Sequence, residues 1–143
     1  MMPLYQFLSG KQRNAWVRFP EYHLDIYLRK SFRKIFTDEE CESIRMPHRI
    51  RQSAALVPES YSHGRKTLDL ASVTVDEEFQ GQGHHTRFIT DVEFVCKNTG
   101  HCIYVENVLE VRLNDFFKKR GYREVQHRYT ELTPPCYFKP CAS

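Results

Sequence analysis

The 143-residue chain lacks several features that would settle its class at once. No run comes near the roughly 20 apolar residues that a membrane-spanning helix needs. The first stretch, "MMPLYQFLSGKQRN", has no basic start followed by a long apolar segment, which argues against a secretory signal. A cytoplasmic location is expected. The five cysteines, Cys41, Cys96, Cys102, Cys136 and Cys141, are odd in number and irregularly spaced, with no CxxC pair. Neither a disulfide framework nor a zinc ribbon is indicated, and reduced thiols are expected. The seven histidines form no HxxxH pair beside a carboxylate, so no metal is expected. No nucleophile elbow of the GxSxG kind occurs. Internal repeats and low-complexity tracts are also missing.

What remains is an ordinary globular composition, 41% hydrophobic and 27% charged, of a length that fits a single domain over 1–143. The charge is uneven. Residues 1–36 hold seven basic side chains (Lys11, Arg13, Arg18, Arg29, Lys30, Arg33 and Lys34) against Glu21 and Asp25, while the whole chain carries +3. A basic N-terminal quarter suits nucleic acid or an acidic partner; a solvated strand face is the plainer reading.

Periodicity supplies the elements. In "YHLDIYLRKSF" Leu24, Ile26 and Leu28 alternate with polar neighbours, as in a strand with one buried face. Thr37 and Glu40 match a capping box, so a short helix is expected to start there. "RQSAALV" reads as a strand between loops. "LDLASVTV" (68–75) is rich in β-formers and alternates poorly, as expected of a strand covered on both faces. Phe88, Val92 and Val95 then recur at helical spacing up to Gly100. "CIYVENV" follows as a strand. A second helix carries Leu109, Leu113, Phe116 and Phe117 on one side, with Gly121 after its basic last turn. "YREVQHRYTEL" and "CYFK" close the chain as two strands around Pro134 and Pro135. The order predicts an α/β fold, a mixed sheet with at least one parallel crossover.

Between strand 68–75 and the helix that follows lies "FQGQGHHTRF". A strand running into a glycine-bearing turn that opens a helix is an anion seat. The first N–H groups of the helix have no internal partners, the peptide dipoles point their positive ends outward, and glycine removes the Cβ that would block a phosphate. A phosphate or diphosphate is expected on the amides of Gly81 to Thr86. A tight turn without a ligand is the alternative. A Walker loop is excluded by Gly83, His84 and His85 standing where Gly-Lys-Ser/Thr belongs. A dinucleotide fingerprint fits poorly, because Thr86 replaces its third small residue, although Glu106 stands where its acidic residue would.

The same segment, "VTVDEEFQGQGHHTRFI", resembles the acetyl-CoA-binding segment of the GCN5-related N-acetyltransferase (GNAT) superfamily. A strand ends at Val73 and Val75, an acidic Asp76, Glu77 and Glu78 follow, and Gln80 to His85 stand at the helix start. "FFKKRGYREV" is similar to the superfamily's later Gly-Phe ending, with Gly121 and Tyr122 in those places. "YVENVLEVRLNDFFKKRGY" resembles a subgroup met in phage and prophage genomes. The resemblance covers about residues 68–138. It departs from the pattern where His85 takes the place of a small residue, where Phe117 stands for a tyrosine that often protonates the leaving thiolate, and where Glu110 replaces an Asn, with Asn107 close by.

The resemblance implies a GNAT-like central sheet with helices on both faces, an acceptor-side half (1–67) and an acetyl-CoA half (68–143). It implies acyl transfer to a primary amine by direct attack in a ternary complex. Cofactor contacts then fall on Val73, Val75, Gln80, Gly81, Gln82, Gly83, His84, His85, Thr86, Asn107 and Phe117. The base falls on Asp69, with Glu106 second, and the oxyanion on amides near Val73 to Val75. Tyr104 and Tyr122 read as core residues with polar tips, leaving no assigned general acid. The acceptor is an amine on a protein, a tRNA or a small molecule, with nucleic acid an open partner and a membrane not expected. A catalytically silent GNAT scaffold and a small basic nucleic-acid module are the alternatives.

Overall fold

In a computed structural model, residues 1–34, 64–106, 108, 111–125 and 135–139 are described. They form three α-helices and six strands. The order is α1 (Met2–Ser9), β1 (Asn14–Phe19), β2 (Leu24–Lys34), β3 (Gly64–Val75), α2 (His84–Thr99), β4 (Cys102–Val105), α3 (Val111–Lys119), β5 (Arg123–Val125) and β6 (Cys136–Lys139). The helix expected from Thr37 and the strand expected in "RQSAALV" lie outside the described residues, as does the later part of "YREVQHRYTEL".

One sheet takes all six strands in the order β1-β2-β3-β4-β6-β5. Only β3 and β4 run parallel; their connection is α2, the crossover expected from the alternation of patterns. The mixed α/β sheet of the sequence reading is therefore present. Along β2 the pleat sends Leu24, Ile26 and Leu28 to one face, where they join Leu68 and Leu70 of β3 and Ile103 and Val105 of β4 in the main core. Leu4 and Phe7 of α1, Phe88, Ile89, Val92 and Val95 of α2 and Phe117 of α3 belong to the same core. Thus all three helices among the described residues pack on one face. The other face carries a smaller cluster of Cys102, Tyr104, Cys136 and Phe138.

Two elements escape the periodicity reading. The first, α1, has only eight residues, too few for a pattern to repeat, with Pro3 in its first turn, where the missing N–H costs nothing. Lys30 steadies its far end: Nζ donates to the carbonyl oxygens of Phe7 at 2.9 Å and Gly10 at 2.7 Å, a cation on the negative end of the helix. The second is β1, paired with β2 from Asn14↔Arg29 to Phe19↔Leu24. Its inward side chains, Ala15, Val17 and Phe19, do alternate.

Cys96 and Cys136 are buried and outside any disulfide, whereas Cys102 is disulfide-bonded. The expectation of reduced thiols thus fails at Cys102. No described helix is long and apolar enough to cross a membrane.

A hub of charge ties the last elements together. Glu93, on α2, accepts from Arg120 Nε at 2.8 Å and Arg120 Nη2 at 2.5 Å, just past α3, and from Lys139 Nζ at 2.8 Å, at the end of β6. Its side chain is only 16% exposed, so water screens the trio weakly. Replacing Glu93 with Gln should cost about 2 kcal/mol, because two cations lose their partner while half-buried. A thermal melt should fall by roughly 4–8 °C; an unchanged melt would show the trio to be idle.

Candidate active site

The site begins with an irregularity in β3. Its antiparallel register with β2 runs Ile26↔Val73 and Tyr27↔Ser72, then jumps to Leu28↔Leu70. Ala71 is the extra residue. Such a bulge bends the strand and sharpens its twist. On its other edge β3 pairs with β4 from Thr67↔Cys102 to Leu70↔Val105, and Glu106 N–H donates to the Leu70 carbonyl at 3.0 Å. The register ends there. Past it the strands separate, and a cavity of about 340 Å³ opens. Leu70 to Val73 line it from β3, Val105 and Glu106 from the β4 end, His85 and Ile89 from α2, and Leu113 and Phe117 from α3.

The turn between β3 and α2 forms the second part. Asp76 N–H donates to the His23 carbonyl at 2.8 Å, and Arg18 grips the Asp76 carboxylate at 2.9 and 2.6 Å while also holding Asp25 at 3.0 Å. That guanidinium holds the Asp76 carboxyl below its usual range. Residues Glu77–Phe79 make one 3-10 turn. Gly81 (φ 78°) and Gly83 (φ 81°) then take left-handed conformations, and α2 starts at His84. A Cβ placed at either glycine would meet nothing within 4 Å. The space above the loop is open, and only the backbone angle demands glycine. The cavity over this loop is about 470 Å³ and shares Val73, His85 and Leu113 with the first.

Electrostatically the start of α2 is unusual. Its first turn holds no acid, although the exposed amides there favour one. Instead it carries His84, His85 and, at the next position round, Arg87. Arg87 hydrogen-bonds His84 Nδ1, which makes that nitrogen an acceptor. The His84 ring meets His23 edge-on at 4.8 Å, and His23 lies flat on Phe79 at 3.5 Å. His23 itself is left-handed, with φ 53°. Arg112, in the first turn of α3, faces the same cavity.

The sequence-derived residues divide as follows. Val73, Gln80, Gly81, Gly83, His84, His85 and Thr86 line the loop cavity, and Phe117 and Glu106 line the one beside it. Gln82 turns away, donating from Nε2 to the Glu78 carbonyl at 3.3 Å. Val75 ends β3 opposite Leu24, and Asn107 lies outside the described residues. Asp69 is fully buried and accepts from Ser31 Oγ at 2.7 Å and Thr67 Oγ1 at 3.0 Å. It lines neither cavity. Glu106 pairs with Arg29, whose Nε is buried without a hydrogen-bond partner. Tyr104 and Tyr122 are core residues, each 4% exposed. Missed by the sequence reading were Phe79, Arg112, Leu113 and Phe116. Arg112 left a signal, a cation in the first turn of a helix, where the dipole disfavours it.

This geometry has counterparts. No family model and no curated protein matches the chain, but solved structures do. One is described as "AtaT complexed with acetyl-methionyl-tRNAfMet" (TM-score 0.53, 15% identity, 82% of this chain and 61% of that one). A second is a mutant of KacT (0.51, 16%, 82% and 61%), and a third is "AtaTR bound with AcCoA" (0.50, 17%, 82% and 60%). The chain thus spans about three fifths of the length of these proteins. They have the GNAT fold, and so does this chain.

Two outcomes follow for the loop. Gly83→Ala should cost about 1–2 kcal/mol, the penalty of a left-handed alanine with no clash added, and Gly83→Asn should cost less, since Asn tolerates that region; equal melts for glycine, asparagine and alanine would refute the strain argument. Separately, His84 is held below its ordinary 6.5 by partial burial, then Arg87 and His23, and His101 by burial, then Lys66. The unfolded chain takes up protons that the folded one refuses, so stability is full above about pH 6.5 and falls as pH drops below it. His84→Gln with His101→Gln should flatten that slope in melts between pH 7 and 5.

Proposed function

We propose that the protein is an acetyl-CoA-dependent N-acetyltransferase acting on a primary amine. The observation that carries this reading is the continuity of the two cavities. A seat of helix-start amides and cations adjoins, through Val73, His85 and Leu113, a smaller and mostly apolar cavity lined by a carboxylate. A long ligand with a diphosphate at one end and a reactive group at the other suits that shape. The residues fit coenzyme A on their own chemistry: open space over Gly81 and Gly83, no acid in the first turn of α2, and His84, Arg87 and Arg112 around it. The structure described as AtaTR bound with AcCoA supports the choice of ligand.

Acetyl-CoA supplies an activated acyl group on a good leaving thiol. The chain's residues do the rest. Amides of Gly83 to Thr86 bind the diphosphate. Val73 and Leu113 guide the arm between the cavities. Backbone N–H groups on the β3 edge beyond Leu70 receive the negative charge that develops on the carbonyl oxygen. Glu106 takes the proton of the attacking amine, held in place by Arg29. Glu106 is preferred to Asp69 because it lines the cavity, while Asp69 accepts from two hydroxyls and lines neither of the two cavities. Residues 1–67 form the acceptor side and 68–143 the coenzyme side. The excess of basic residues in the N-terminal quarter, with Trp16 65% exposed on the outer sheet face, suits a polyanionic acceptor. The amine of an aminoacyl-tRNA is such a group, and AtaT is described with its acetylated form.

Calorimetry should show one acetyl-CoA site per chain, and thiol release should follow on adding aminoacyl-tRNA. Glu106→Gln should lower kcat about 10²-fold at unchanged acetyl-CoA affinity, whereas Asp69→Asn should lower the melting temperature and keep kcat within about threefold. Binding without thiol release across an amine panel would leave a silent scaffold; no binding at all would end the acetyl-CoA reading.

A further inference from the structure

We infer that His85 is the general acid of this transfer, delivering a proton to the departing sulfur from the α2 wall of the β3–β4 cavity. The inference rests on the reading above. Acyl transfer from a thioester to an amine moves two protons: the nitrogen loses one and the sulfur gains one. Among the residues lining that cavity two are ionisable, Glu106 and His85. One is a carboxylate beyond the end of β4; the other is an imidazole at the start of α2. A base and an acid are thus present, contributed by different elements.

Among the described residues, the other donors are committed or misplaced. The Tyr137 hydroxyl donates to Asn114 Oδ1 at 2.5 Å and is pushed up to about 12, by burial first and then by Glu124. Tyr122 is buried and its hydroxyl pushed up by that burial, and Cys96 is pushed up to about 12 in the same way. None of these three lines the cavity. Phe117, which does, has no proton to give. Ser72 lines it, but a hydroxyl of ordinary acidity is too weak an acid to help a thiolate.

His85 is also placed for the task. It lines both cavities, so its ring stands where they adjoin. Phe116 and Phe117 meet it edge-on at 5.4 and 6.1 Å, which limits its rotation. In the reaction the nitrogen–carbon bond forms and the carbon–sulfur bond breaks, with its electron pair leaving on sulfur. Glu106 accepts the amine proton, His85 gives its own to the sulfur, and solvent returns the proton from carboxyl to imidazole.

The test compares wild type with His85→Gln and His85→Asn, two variants of similar bulk, so that one folded variant suffices. Acetyl-CoA affinity should stay within about threefold by calorimetry, while kcat falls about 10²-fold. The wild-type kcat should decline on the alkaline side as the acid loses its proton, and the variants should lose that decline. Added imidazole should restore part of the rate in His85→Ala. Loss of affinity and kcat in proportion, with the alkaline limb intact, would make His85 a seat residue only and overturn the inference; so would an unchanged kcat. A wild-type protein that neither binds acetyl-CoA nor releases thiol fails at the earlier reading instead.

Discussion

Everything at the site depends on where the parallel ladder between β3 and β4 stops. Up to Leu70↔Val105 the strands share hydrogen bonds and the sheet is closed. One residue later the extra Ala71 has bent β3 away, and the edges of both strands face a cavity rather than each other. A parallel sheet is normally buried on both faces, so in the proposed reaction backbone N–H groups at this opening would meet developing charge in a low-dielectric surrounding. No side chain could supply that field as cheaply, since the backbone is fixed by the ladder on one side of the break and by β2 on the other.

The start of α2 follows from the same bend. Because β3 leaves the plane of the sheet, its end must turn sharply to bring α2 back across the main core, and two left-handed glycines make the turn. Arg18 fixes the turn from outside through Asp76 and Asp25, joining β1, β2 and the loop in one network. The result is a helix end whose amides point at open space, with a local charge that repels itself unless an anion is present. The unfavourable placement of His84, His85 and Arg87 together is more informative than any one of them, because a helix selected for stability alone would carry acids there.

Much of this was legible in the chain. The glycine loop, the helix after it and the strand before it follow from local rules: left-handed glycines, period 3.6 and β-formers. The same rules assign an anion seat to Gly81 to Thr86, and Gly81, Gly83, His84, His85 and Thr86 of that stretch line the loop cavity. Asp69 shows the limit. The resemblance puts an acid on β3, and Asp69 sits opposite Tyr104, two residues before Glu106 and so on the same face of the sheet. Spacing cannot say that Asp69 lies within the ladder while Glu106, which makes its last hydrogen bond to Leu70, lines the cavity. That depends on the bulge, which comes from pairing with a strand some forty residues earlier. Arg112 and Phe116 were missed for a related reason: their role needs α3 to lie across the loop, which is a fact of packing, not of pattern.

The packing that sets α3 in place lies at the opposite end of the helix from the chemistry. Glu93 on α2 clamps Arg120 beyond α3 and Lys139 on β6, and Arg120 also lies 5.3 Å from the centre of the Phe116 ring. Phe117 stacks on Tyr137 of β6 at 5.6 Å and meets Tyr122 at 5.0 Å. These contacts leave the near ends of α2 and α3 little freedom to separate. They fix how far His85 stands from Phe116 and Phe117, and hence how wide the passage between the two cavities is. A passage set by two clamped helices resists local change better than one set by a loop, because widening it means breaking charge pairs and aromatic stacking together. The imidazole that departs from the expected small residue is therefore accommodated by rigid neighbours, Phe116 and Phe117 meeting it edge-on.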